Sequence, residues 1–187
     1  NFVYFWLDFP LVVGVGLLLF WRRRNCYTLL RDSILISGAF ALVFYWTFPV
    51  APPRYLTEWG FVDTVEQFSN LSYQAQSMRP FVNPFAAVPS LHVGWAMLLV
   101  VAVFQATPHW GPRSAMVAIF IAQSVAVVGT ANHFILDGVA GLVVCAAALA
   151  VGLLLQRHGY PGVRSLIATL ERLADGAPEA ERVAPDG

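Results

Sequence analysis

"NPFAAVPSLHVGWAMLLVVAVF", residues 83–104, governs how the rest of the chain is read. From Phe85 onward it has the composition of a segment entering a bilayer, which takes about 20 apolar residues to cross. Yet Ser90 and His92 stand at its mouth, directly behind Pro89. An ionisable side chain at membrane depth is costly, so it marks a functional site by default.

The whole chain supports the membrane reading. Of 187 residues, 58% are hydrophobic and 12% charged, against roughly a quarter charged in ordinary globular domains. Four further apolar stretches accompany 87–106, at about 3–21, 33–50, 114–131 and 136–155. Breakers separate them: "VAPPRY", "TPHWGPR" and "QRHGYPG". The expected fold is an all-α integral membrane protein whose bundle of five spans fills residues 1–158.

Charge fixes the orientation. With alternating spans, one side receives Arg22, Arg23, Arg24, Arg31, Arg113, Arg157 and Arg164, and the other only Arg54 and Arg79. The arginine-rich side is therefore cytoplasmic. An outside N-terminus predicts a further span upstream of this chain, six in the full protein. Segment 51–86 then lies outside, and its aromatic residues suit an interfacial loop or helix over the site. Residues 159–174 repeat apolar positions at helical spacing and read as an amphipathic helix on the cytoplasmic surface. Residues 175–187 read as a disordered tail. Cys26, in a basic loop, and Cys145, in an apolar run, are not expected to pair.

Three stretches bring ionisable residues to the outer ends of the spans: "APPRY" with Arg54, "PSLH" with Ser90 and His92, and "NHFILD" with His133 and Asp137. His133 follows His92 by 41 residues, about two spans and a short loop, so both imidazoles return to one depth. Asp137 is four residues beyond His133, on the same helical face. A carboxylate there can hold one imidazole nitrogen and leave the other basic.

Two histidines, one held by an aspartate, suit phosphoryl transfer. His133 would attack phosphorus, and His92 would protonate the leaving alkoxide and later deprotonate the acceptor. Charge on the phosphoryl oxygens calls for Arg54, the Ser90 hydroxyl and the first N–H groups of the third span. Arg79, in "MRP", is a second candidate cation. Ser90 is a helix cap or a ligand, or both. Asn132 is expected as N-cap of the fifth span and stands among the phosphate-binding candidates. Asn83 either braces the loop or touches substrate. His109 and His158 lie on the cytoplasmic side, away from the chemistry. No metal and no cofactor are required.

"PSLH" with "NHFILD" resembles the second and third motifs of the type 2 phosphatidic acid phosphatase superfamily. "NPFAAVPSLHVGWA" and "APPRY" are more similar to its inositol phosphorylceramide synthase branch. The resemblance covers about residues 45–140. It implies a six-span fold with an extracytoplasmic site, His133 as nucleophile, Asp137 as its orienting partner and His92 as acid and base. Two features depart from the superfamily pattern. The chain has no lysine, and Ala126 and Val127 stand where Ser-Arg usually precedes the third motif's histidine.

The expected partners are a lipid phosphoester, water or an alcohol acceptor, and the lipid of a bacterial plasma membrane. Zero net charge argues against nucleic acid. Three other readings compete: a bis-histidine haem protein through His92 and His133, a non-enzymatic membrane subunit, and a Ser90–His133 protease. The last lacks the glycine elbow that exposes a nucleophilic serine.

Overall fold

The computed structural model describes residues 3, 7–64, 67, 83 and 85–175. Arg79, most of the aromatic loop (Phe68, Tyr73 and Phe81 included) and the tail 176–187 lie outside the described residues. The chain divides into two compact units, 1–152 and 153–187.

The described secondary structure is helical, with no strand beyond one isolated bridge. Five helices occupy the expected spans: α1 (Asp8–Arg22), α2 (Arg24–Thr47), α3 (Leu91–Ala106), α4 (Trp110–Gly129) and α5 (Ile135–Leu154). α2, α4 and the helical run that starts at Ile135 are long and apolar enough to cross a membrane. α3 is apolar too but has 16 residues, and α1 has 15.

Several boundaries differ from expectation; α4, for one, begins at Trp110 and not 114. α2 begins at Arg24, nine residues before the expected 33, so Cys26 lies in a helix and not in a loop. No Gly or Pro interrupts residues 24–33, and Arg31 pairs with Asp32 at 2.7 Å, so the charges do not stop the helix. Arg23 alone makes the break; its N–H closes α1 on the Leu19 carbonyl and its carbonyl accepts from Tyr27. At the other end Pro49 limits α2. α3 begins at Leu91, not 87, because the residues before it are extended. Val50 and Ala86 form a parallel bridge, through Val50 N–H to Phe85 O at 2.8 Å and Ala87 N–H to Val50 O at 3.3 Å.

The first unit carries its large apolar groups outward. Trp21, Trp46, Leu42, Val125 and Leu136 are exposed, an arrangement suited to lipid and costly in water. α3 is apolar all round and packs into a core with Leu19, Leu30, Met116 and Cys145. Some inward polar groups find partners: Ser33 Oγ donates to Leu29 O, and Trp95 Nε1 donates to Ser37 Oγ at 3.1 Å.

The contact that positions the site is made by small residues. Along α5, Gly138, Gly141, Cys145, Ala148 and Gly152 are all buried at near-heptad spacing. A Cβ on Gly141 would collide with the Ser90 backbone, whose carbonyl carbon would lie at 2.9 Å. A Cβ on Gly94 would come within 2.8 Å of Gly141 O. Small residues let helix backbones approach in this way inside a bilayer. The start of α3 therefore sits directly on the first turns of α5.

In the second unit a π turn (Leu155–Gly159) leads into α6 (Tyr160–Asp175). Val163, Leu166, Ile167 and Leu170 of α6 are exposed.

Candidate active site

Main-chain hydrogen bonds join the three polar stretches. The N–H of Ala87 donates to Val50 O, that of Ser90 to Asp137 O at 2.9 Å, and that of Arg54 to Ala131 O at 2.9 Å. Tyr45 Oη of α2 adds a fourth tie, donating to Pro89 O at 2.7 Å. "APPRY", "PSLH" and "NHFILD" thus form one locked cluster where α2 and α4 end and α3 and α5 begin.

His92 sits in the first turn of α3. His133 lies in the α4–α5 turn, and the two ring centroids are 5.8 Å apart, tilted by 55°. His133 is buried. Its Nδ1 is 2.8 Å from the carbonyl oxygen of Ala87. A carbonyl only accepts, so Nδ1 carries a proton, and in the neutral ring Nε2 keeps its lone pair. Asp137, expected to take this hydrogen bond, stands farther off: its Oδ2 is 3.6 Å from Nδ1. That oxygen instead accepts from the Phe134 N–H at 2.8 Å. Asp137 is at the third position of α5, so this is the returning half of a capping box. The carboxylate caps the helix and places negative charge beside the imidazole.

Asn132 is not the N-cap of α5, which begins three residues later. Its Oδ1 accepts from Nη1 of Arg54, and its Nδ2 donates to Thr130 Oγ1 at 2.8 Å. The reason is the turn itself. Ala131 takes a left-handed conformation with φ 55°, and the N–H groups of Asn132 and His133 both return to Val127 O. Left-handed geometry costs a non-glycine residue about 1–2 kcal/mol, and the surrounding bonds hold it.

Arg54 is buried. Besides Asn132, its Nε lies 3.4 Å from Asp63 Oδ2 and its guanidinium 5.2 Å from the Tyr55 ring centroid. Beyond it opens a cleft of about 630 Å³ lined by Arg54, Tyr55, Thr57, Phe61, Asp63 and Gln67 among others. Ser90 occupies the N-cap position of α3, yet its hydroxyl makes no cap bond. Its Oγ is buried without a hydrogen-bond partner. Asn83 is exposed and its Oδ1 accepts from Phe85 N–H at 3.0 Å, so it braces the loop. Val127 is fully buried against Val93, so that position serves packing. Among the described residues no group of three or more His, Cys, Asp or Glu side chains is arranged to hold a metal.

A family model described as the PAP2 superfamily matches residues 1–151. The chain belongs to the PAP2 superfamily. The likeness of "PSLH" and "NHFILD" to that superfamily is thereby borne out. Among curated proteins, phosphoinositol dihydroceramide synthase of Bacteroides thetaiotaomicron is 25% identical over 153 residues, covering 73% of this PAP2 chain. The chain spans about half of that relative, 48% of its length. No solved structure gives a significant match.

Sequence reasoning missed three parts of this PAP2 site: the Ala87 carbonyl, Asp63 and Tyr45. The first is a backbone atom and leaves no mark in residue type. The others are single polar side chains that belong to no motif, Tyr45 six residues before "APPRY" and Asp63 eight after it. The small-residue spacing of α5 was a visible signal for the close α3–α5 contact.

Proposed function

We propose that this protein is a lipid phosphotransferase working through a phospho-histidine on His133 at the extracytoplasmic end of the bundle. The observation that carries the reading is the Ala87–His133 hydrogen bond, which leaves Nε2 basic with the His92 ring 5.8 Å away.

The chemistry follows in two steps. Nε2 of His133 attacks phosphorus, the bond from phosphorus to the lipid oxygen breaks, and protonated His92 gives its proton to that alkoxide. An alcohol or water then gives a proton to His92 and attacks phosphorus, and the N–P bond breaks. Asp137 stabilises the charge that His133 gains. Arg54, the Ser90 hydroxyl and the first-turn N–H groups of α3 meet the phosphoryl oxygens. No step calls on a metal.

Transfer of a phospho-headgroup to an alcohol is favoured over plain hydrolysis. The Bacteroides relative is named for a product joining phosphoinositol to dihydroceramide. The outward-facing site rests on arginine placement: Arg22–Arg24 at the α1–α2 turn and Arg113 early in α4 sit at the helix ends away from the histidines. α6, with its exposed apolar row, is read as lying in the cytoplasmic membrane surface. The PAP2 match favours phosphoester chemistry over a bis-histidine haem protein.

The test is turnover of a panel of lipid phosphomonoesters and phosphodiesters by the full chain in vesicles, with and without alcohol acceptors. Turnover lost in His133→Ala at unchanged melting temperature is expected. Turnover that survives this substitution contradicts the reading.

A further inference from the structure

We infer that Asp63 sets the charge selectivity of the site, favouring singly charged phosphodiesters over doubly charged phosphomonoesters. This rests on the proposal that His133 transfers a phosphoryl group.

The Arg54 guanidinium connects two regions. On one side Nη1 donates to Asn132, the residue before His133. On the other, Nε is 3.4 Å from Asp63 Oδ2, and the side chains are 7% and 23% exposed. Arg54 and Asp63 both line the cleft, whose walls include neither His92 nor His133. A phosphate held by Arg54 therefore also lies in the field of a fixed carboxylate.

That field treats the two ester classes differently. A phosphomonoester carries about −1.5 to −2 charges at neutral pH, and a diester carries one. The carboxylate offsets part of the arginine's attraction and repels each anionic oxygen, so the second charge is the one it penalises. A neutral side chain would also hold Arg54 through a hydrogen bond. The carboxylate thus adds discrimination to positioning. The remaining lining, with Thr57, Gln67 and the rings of Tyr55 and Phe61, leaves space for an uncharged polar group on the second ester oxygen.

The experiment presents phosphatidylinositol and phosphatidic acid together in one vesicle population. It reads the ratio of their kcat/KM values for the full chain and for Asp63→Asn and Asp63→Glu. Wild type should favour the diester. Asp63→Asn should shift the ratio toward the monoester by about tenfold or more, and Asp63→Glu should keep the wild-type ratio. Asp63→Ser, a second neutral replacement, serves if Asp63→Asn does not fold. Loss of both activities in equal proportion would reduce Asp63 to a positioning role and overturn the inference, as would a wild-type preference for the monoester. If wild type turns over neither lipid, the phosphotransferase reading itself fails.

Discussion

The imidazole of His133 is held by the main chain of Ala87, 46 residues earlier, at 2.8 Å, while the carboxylate of Asp137 stays at 3.6 Å. The tautomer is therefore set by a carbonyl that cannot become a donor. Asp137→Asn should keep the correct tautomer and lose only the charge that steadies the imidazolium. We expect kcat to fall about 10- to 100-fold, well short of the roughly 10⁴-fold loss that follows when the equivalent substitution in a serine-protease triad leaves the histidine in the wrong tautomer. Steady-state kinetics of the variant check this.

The glycines of α5 differ sharply in what they tolerate. A Cβ on Gly141 meets the Ser90 backbone, whereas one on Gly138 meets only the Val93 methyls, at 3.6 Å and beyond. Gly141→Ala should push α3 off α5, destabilise by about 1–3 kcal/mol and abolish activity by moving His92. Gly138→Ala should be neutral or gain up to about 1 kcal/mol from helix propensity. Thermal unfolding in detergent, paired with turnover, separates the two.

Ser90 is buried with its hydroxyl unpartnered. Removing it breaks no hydrogen bond of the free protein, so Ser90→Ala should leave the melting temperature unchanged or slightly raised. Activity should nonetheless fall, about 10-fold or more, if the hydroxyl meets the phosphoryl oxygens. A drop in stability would instead make Ser90 a structural residue.

Much of this architecture could be read in the sequence, for identifiable reasons. Apolar runs and breakers reported the helices because the bilayer demands length and composition. The spacing from His92 to Asp137 reported the pairing because two spans and a short turn leave little freedom. What stayed hidden was set by backbone geometry. The Asn132 amide looked like a cap, but the left-handed Ala131 turns it toward Arg54. The start of α2 at Arg24 was obscured by charges that the structure neutralises within the helix.

Asn132 joins Arg54 to Thr130. Asn132→Ala leaves the buried guanidinium short of an acceptor and should cost about 1–3 kcal/mol of stability. If Arg54 holds the phosphate as proposed, KM for the lipid should rise along with the drop in unfolding free energy. A variant with lowered stability but unchanged KM would detach Arg54 from substrate binding.

The most direct test of the account is to trap the covalent intermediate. Wild-type enzyme turning over a lipid phosphoester is quenched within one cycle, digested, and the peptide carrying His133 is weighed. An adduct of the transferred phospho-group is expected on His133, stable to base, labile to acid and absent from His133→Ala. A turnover-competent enzyme with no adduct at His133, or with the adduct on Ser90 or His92, would contradict it.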